Sequence, residues 1–485
     1  MNKPASNTDR SALVRNAGVI WFGLVVYPLV LIFLGFLIPG AWIGFAAFCG
    51  FLLLCHSVFL WNKLAFILLV PLFVYKFSSF VSLILISFGL FIPEIGRYGE
   101  ADLSSAFYLA VTSVHFGLIV LFASQWMGKK VDHSLVKIYR LPAELDFAFL
   151  FIFGTILYQI LVLIYTGISY GFPLLIGMDR FFYRGLHAGE AFINILNYKA
   201  AIALLAAMLI ASPDVSRWRK SMVSYAYFAL FSLYALFGEK FSALILVTAL
   251  FSLPFMLRRP ERISEYLRKI SAVLFVVIIF ALSLVYYVYS DYGTQTASVT
   301  FERMFGRMAQ QSQLWYLATR TFPGLFSIDT DSINAVWNSL FLDGVDANLT
   351  RLDIGSYYFT VRFSPQSIQQ SIYEMQGLNQ FTQVSEAYWL SVAGLPGLIF
   401  YLLVSAFIFS VVMVCLSNGL TTTNFIVTYL WGSVFVFMMT SLNQALPHQI
   451  FGVNYLRWYL FAAFVHFCYY MLQRVSYTSA NINLR

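Results

Sequence analysis

The sequence predicts an all-α polytopic membrane protein with about 12 transmembrane helices, cytosolic termini and two sizeable outer loops. Three observations carry this expectation. Of 485 residues, 60% are apolar and only 11% are charged, whereas a soluble domain is about 45–50% apolar and about 25% charged. The apolar residues gather in runs close to the length a helix needs to cross a bilayer, about 20 residues. The cations lie mostly on one side of the resulting topology, as the positive-inside rule requires.

The expected spans are roughly 18–38, 41–60, 64–90, 105–125, 146–167, 192–211, 222–237, 241–257, 270–290, 387–415, 425–441 and 453–472. These runs are helical, because barrel strands alternate and run only about 9–11 residues. Orientation follows from 18 of the 30 Lys and Arg, which fall on the side of the N-terminus. They include Arg10 and Arg15, the group from Lys129 to Arg140, the group from Arg217 to Lys220 and the group from Arg258 to Lys269. Fifteen of the 22 acids, from Glu94 to Glu386, lie in or beside the opposite loops. A soluble fold, a disordered chain and a fibrous repeat are excluded by the apolar content, the 50 Phe and the lack of low-complexity tracts.

The first apolar run lacks a small-residue cleavage site and reads as a signal anchor. Cys49, Cys55, Cys415 and Cys468 all fall within expected spans, so no disulfide is expected in the outer loops. No cysteine or histidine spacing matches a zinc site. The chain divides into a membrane domain over 1–290 with a loop at 168–191, a large outer loop at 291–386, and a second membrane segment at 387–485. A connection as long as 291–386 is usually functional. Helical periodicity from Phe301 to Leu317 predicts short helices in it, lying over the membrane and capping a cavity.

Twelve cations remain: Lys76, Arg97, Arg180, Arg184, Lys199, Lys240, Arg303, Arg307, Arg320, Arg351, Arg362 and Arg457. They lie on the outer side or inside spans. Nine are Arg, the side chain suited to bidentate phosphate recognition. Arg180 and Arg184, with Tyr183 between them, stand four residues apart, as do Arg303 and Arg307. On a helix that spacing stacks both guanidinium groups on one face. Gln311 extends the second face by a turn. The competing reading pairs these arginines with Asp179, Glu190 or Glu302. Lys240 sits at a Gly-Glu-Lys turn between two short spans, at the floor of a funnel. A charge there needs water, a partner or a ligand. Candidate proton acceptors on the outer side are His187, His448, Glu190, Glu239 and Glu386. Asp329-Thr330-Asp331 has the form of a metal-binding acid pair, though such a segment is more often a solvated turn. His56, His115 and His466 lie within spans and are expected to pack or hydrogen-bond between helices.

The layout resembles bacterial O-antigen polymerases, the Wzy family of the O-antigen polymerase/ligase superfamily. The carrying motifs are the FGEKFSALIL turn, the Arg303/Arg307/Gln311 stretch, and SEAYWLSVAGLPGLIFYLL from Ser385, with its Glu and its Gly394 and Gly397. The spacing of Arg followed after ten residues by Gly, seen in both large loops of some members, is absent after Arg180, Arg184, Arg303 and Arg307. The resemblance implies a GT-C-like enzyme of the inner membrane, acting at the periplasmic face without metal or cofactor. Its substrates would be undecaprenyl-diphosphate-linked oligosaccharides, and its partners a chain-length regulator (Wzz) and a flippase (Wzx). It implies diphosphate and acceptor contacts from Arg180, Tyr183, Arg184, Lys240, Arg303, Gln311, Arg320 and Arg457. The catalytic group would be Arg307 with Glu386 or His448 as base. An O-antigen ligase acting on lipid A-core is the alternative within enzymes. A lipid-linked oligosaccharide flippase is the alternative outside them.

Overall fold

The computed structural model describes residues 17–92, 94–127, 142–178, 180–187, 189–238, 241–258, 262–268, 305–321, 326–341, 354–374, 385–422, 424–444 and 452–482, with a few isolated positions. In chain order these form α1 (Ala17–Leu37), α2 (Trp42–Trp61), α3 (Lys63–Ser87), β1 (Phe91–Ile92), β2 (Arg97–Tyr98), α4 (Ser104–Met127) and α5 (Pro142–Tyr170). Next come α6 (Arg180–His187), α7 (Glu190–Ala211), α8 (Arg217–Leu236) and α9 (Phe241–Arg258). The large loop contributes α10 (Gln313–Arg320), α11 (Thr330–Phe341), α12 (Ser356–Phe363) and α13 (Gln366–Glu374). Then follow α14 (Ser385–Thr422), α15 (Phe425–Gln444) and α16 (Val453–Ile482).

Among the described residues, seven helices are long and apolar enough to cross a membrane: α1 to α5, α14 and α15. The protein is therefore an all-α, membrane-embedded chain. The apolar parts of α7 and α9 are shorter, Tyr198–Ala211 and Ala243–Arg258. The expected spans at 222–237 and 453–472 are helical, as α8 and α16. Neither is among the seven, and α8 opens on Arg217, Arg219 and Lys220. The expected span at 270–290 lies almost entirely outside the described residues.

The chain divides into two compact units, one of residues 1–129, 301–413 and 437–458 and one of residues 130–300, 414–436 and 459–485. The large loop does not form a unit of its own, since its described helices group with α1 to α4.

In the first unit, small residues let helices approach closely, as membrane packing requires. Gly44, Ala47 and Gly50 share one buried face of α2. A Cβ at Gly50 would stand 2.4 Å from Leu109 and 2.5 Å from Tyr27. Asn62 caps α3 by accepting from the Ala65 amide at 3.0 Å. Beyond α3 the chain turns through β1 and β2, which pair antiparallel with Phe91 opposite Tyr98. Asp102 then opens α4 by accepting from the Ser104 amide at 2.9 Å.

Helix α14 is broken. Ala393 and Gly394 leave helical geometry, and Gly394 has φ 58° and ψ −158°, a region that essentially only glycine occupies. Twelve residues of straight helix would separate Trp389 from Tyr401 by about 18 Å. Their rings instead stack at 5.8 Å. The arm 385–392 therefore folds back beside the long arm that begins at Leu395.

In the second unit, α8 is capped by Ser216, which accepts from the Arg219 amide. It joins α5 through Tyr234, whose hydroxyl donates to the Gln159 side chain at 2.7 Å, and through the Arg219–Asp146 ion pair.

Gly99 tests how tightly the end of α3 is held. Its amide donates to the Leu90 carbonyl at 2.8 Å, and a Cβ there would meet the Ile86 carbonyl oxygen at 2.2 Å. Gly99→Ala is expected to cost about 1–3 kcal/mol by overpacking against backbone that cannot yield, read as a lower melting temperature in detergent micelles.

Candidate functional site

Two constellations of polar residues stand out in the first unit. The first is built on the loop segment 305–320, which is pinned onto α3 and α4. The Ser82 hydroxyl donates to the Ala309 carbonyl at 2.5 Å and accepts from the Ser312 amide at 2.9 Å. The Ser312 hydroxyl donates to the Ser79 carbonyl at 2.9 Å. The Trp315 indole donates to the Ser104 carbonyl at 2.7 Å. Residues 313–318 are all buried. This part of the loop therefore packs within the helical unit, as continuous with the core as any span.

The anchoring presents two arginines at the ends of the segment. Arg307 lies 3.6 Å from Glu94 and donates to the Gln310 side chain at 3.3 Å, with its own side chain 63% exposed. Gln313 donates to the same Glu94 carboxylate. At the other end, Arg320 pairs with Glu100 and donates to the Tyr316 hydroxyl at 2.8 Å. The hydrogen bond and charge of Arg320 hold the Glu100 carboxyl below the usual carboxylate range. Burial pushes the neighbouring Asp102 carboxyl up. Arg320, Thr319 and Asp102 share a cavity of about 440 Å³ with the apolar Gly35, Phe36, Pro39, Leu103 and Phe107. One wall is thus a membrane helix end, and the other is charged.

The second constellation lies inside the helices. Lys76 of α3 is 2% exposed, and Glu386 of the short arm of α14 is 1% exposed. Lys76 Nζ donates to Glu386 Oε1 at 2.7 Å and to the Tyr108 hydroxyl at 3.1 Å. His115 of α4 places Nδ1 3.5 Å from the same Oε1. Its Nε2 is 3.1 Å from the Ser405 hydroxyl. Four segments meet here: α3, α4 and both arms of α14.

The predicted site residues fall as follows. Arg307, Gln311 and Arg320 belong to one anchored segment, with Gln311 in the turn just ahead of α10. Arg303, Lys240 and His448 lie outside the described residues. Arg180 and Arg184 do fall on one helix, α6, at the expected spacing. Tyr183 faces inward. It is 1% exposed, its hydroxyl donates to the Gly171 carbonyl at 2.9 Å, and its ring meets His187 edge-on at 5.0 Å. Arg457 is exposed near the start of α16. Glu386 departs from the expectation of an outward-facing acceptor, since it is buried and already paired.

The loop acids resolve into a helix cap. Asp329 accepts from the Ser332 amide at 3.1 Å and the Ser332 hydroxyl at 2.8 Å, opening α11. Burial pulls its carboxyl up, but the Ser332 bonds and the Arg362 charge outweigh that and hold it below the usual range. Among the described residues, no group of three or more His, Cys, Asp or Glu is placed to share a metal. Two of the three span histidines hydrogen-bond between helices as expected, His115 with Ser405 and His466 accepting from the Trp431 indole at 3.1 Å, whereas His56 is exposed on α2 and its ring stacks on Phe59 of the same helix.

The sequence places His115 among the histidines that pack or hydrogen-bond between helices and names no partner for Lys76. The signal was present in charge balance. A lysine in mid-span requires an anion at its own depth, and Glu386 is the acid bordering an apolar run.

No family model matches the chain, and no curated protein and no solved structure matches it either. The class its fold defines is an all-α membrane-embedded protein with an arginine-bearing segment packed into its helices.

The buried pair makes a signed prediction. Lys76→Met leaves a carboxylate without its partner and is expected to destabilise by about 3–5 kcal/mol. Lys76→Met combined with Glu386→Gln removes both charges and should recover most of that loss. Thermal unfolding of the three proteins in detergent checks it. A double variant no better than the single one would remove charge pairing as the cause.

Proposed function

We propose that this protein is a glycosyltransferase of the O-antigen polymerase type, joining undecaprenyl-diphosphate-linked oligosaccharides at the periplasmic face of the inner membrane. The observation that carries the reading is the anchored segment 305–320 with Arg307 and Arg320 at its ends, the second beside a mainly apolar cavity in which Arg320 and Asp102 are the charged residues. A lipid with a diphosphate head and a sugar needs that combination: an apolar wall for the chain, and fixed guanidinium groups for the phosphates. The motif resemblance at Arg307, Gln311 and Glu386 points the same way.

In this reading a hydroxyl of one repeat unit attacks the anomeric carbon of the sugar chain carried by a second lipid. The new glycosidic bond forms as the bond from the anomeric carbon to the diphosphate oxygen breaks, and the diphosphate leaves with the electron pair. Positioned cations stabilise that leaving charge without any reorganisation during the step. Arg307 is the principal candidate, with Arg303, Arg320 and Arg457 as binding contacts. The hydroxyl proton needs an acceptor. The Lys76 pairing of Glu386 favours His448 for that task.

A second reading, transport of the lipid-linked sugar, is favoured by one feature. The broken helix α14 brings a charged side chain among spanning helices, an arrangement that recurs in carriers. Surface carbohydrate from a deletion strain separates the readings. A polymerase predicts single repeat units on lipid A-core. A ligase predicts long polymer retained on undecaprenyl carrier, and a flippase predicts lipid-linked units trapped on the cytosolic side. Full-length polymer on lipid A-core would dismiss all three.

Charge reversal tests the arginine directly. Arg307→Glu adds a second carboxylate beside Glu94 and is expected to abolish polymer at normal protein level in the complemented strain. Long chains retained at wild-type length would remove Arg307 from the chemistry.

A further inference from the structure

The buried cluster holds one proton position that its hydrogen bonds leave open. The Ser405 hydroxyl donates to the Tyr401 carbonyl at 2.6 Å, one turn back along its own helix. With its proton given to that carbonyl, the hydroxyl is an acceptor toward His115 Nε2, 3.1 Å away, and this matches the lack of any hydrogen-bond partner at His115 Nδ1. That assigns the imidazole proton to Nε2 and leaves Nδ1 as a bare lone pair. Nδ1 faces Glu386 Oε1 at 3.5 Å. Two acceptors thus face each other with no proton between them, at a distance longer than a hydrogen bond. The second carboxylate oxygen, Oε2, is fully buried and has no hydrogen-bond partner.

We infer that His115 and Glu386, held by Lys76, form an intramembrane proton-binding site, with the proton seated between His115 Nδ1 and Glu386 Oε1. The proton comes from water as hydronium. A bond forms from Nδ1 to hydrogen, the hydronium becomes water, and nothing is oxidised or reduced. The cluster passes from neutral, with Lys76 positive and Glu386 negative, to a single positive charge. The contact between imidazole and carboxylate turns from lone-pair repulsion into a charge-assisted hydrogen bond. Because the groups are coupled, the proton belongs to the pair.

The elements around the site supply the other polar groups that face it. From α3 come Lys76 and Ser79, and from α4 Tyr108. The two arms of α14 add Ser385, Tyr401 and Ser405. Helix α10 packs Trp315 on Tyr108 at 5.3 Å between ring centres, which is apolar contact. A structural staple alone would need only the Lys76–Glu386 pair. It gives no reason for an imidazole with its bare nitrogen aimed at the carboxylate. This inference is independent of the sugar-transfer reading and survives if that reading fails.

Solid-state NMR of the full-length protein in lipid bilayers, with labelled histidine, tests it. His115 is assigned by the signal lost in His115→Gln. Spectra are taken from about pH 8 to about pH 4, which brackets the surveyed range of imidazoles in proteins. The expected result is a neutral His115 with its proton on Nε2 at the upper end and a doubly protonated ring at the lower end. In Glu386→Gln the transition should vanish or move by more than tenfold in proton concentration. If that variant fails to fold, Lys76→Met with Glu386→Gln takes its place, since it leaves no unpaired charge. A His115 that keeps one protonation state across the whole interval overturns the inference. So does an identical transition with and without the Glu386 carboxylate.

Discussion

The ion pair between Lys76 and Glu386 is the constraint on which the first unit depends. Neither charge is tolerable alone among apolar helices, and each therefore requires the other at its own depth. The pair joins α3 to the short arm of α14 across 310 positions of sequence. It also sets the depth to which that arm reaches. The break at Gly394 then follows as a requirement, because an unbroken helix would carry Glu386 away from the level of Ser405 and His115. A glycine is needed there because its backbone angles are closed to other residues.

The arginine-bearing segment depends on the same helices through different chemistry. Four hydrogen bonds shared with Ser79, Ser82 and Ser104 hold it, one of them donated by the buried Trp315 indole. Such anchoring removes the entropy that a free loop would lose on ordering its side chains. The guanidinium groups of Arg307 and Arg320 are also restrained by acids, Glu94 and Glu100, at positions set by the end of α3 and the start of α4. An arginine held in this way is closer to a fixed dipole than to a mobile counterion. In the proposed reaction, preorganised charge of that kind would stabilise the leaving diphosphate.

Much of the architecture was legible because it is written in composition and period. The apolar runs predicted α1 to α5, α14 and α15, and the spacing of Phe301 to Leu317 predicted a helical segment where 305–320 is found. Arg180 and Arg184 were placed correctly on one helix by simple periodicity. The failures share a cause. Tyr183 stands beside Arg184 and Glu386 opens an apolar run, and linear sequence does not say which way either side chain points. The long loop was expected to carry short helices over the membrane, and which of its residues are buried was not legible: α10 packs residues 313–318 inward. Its six consecutive buried residues include both aromatic and polar types, so no clean amphipathic stripe announced it. His115 is the plainest case. Its role depends on Ser405 and Glu386, 290 and 271 positions away, and no local pattern connects them.

The broken helix carries a consequence for how the chain is made. A ribosome delivers Lys76 long before Glu386, at about 5–20 residues per second. The interval of 310 residues corresponds to about 15–60 s. During that time α3 must sit in the bilayer with an unneutralised ammonium, at a cost of about 2.5–3.5 kcal/mol on insertion scales. The leucines, phenylalanines and valines that surround Lys76 carry that burden alone. The short arm of α14 faces the opposite problem, since it cannot partition into lipid by itself and has to dock onto helices already in place. Vectorial synthesis thus delivers the cation first and its anion last, and the final step of assembly is the neutralisation of a charge waiting in the membrane.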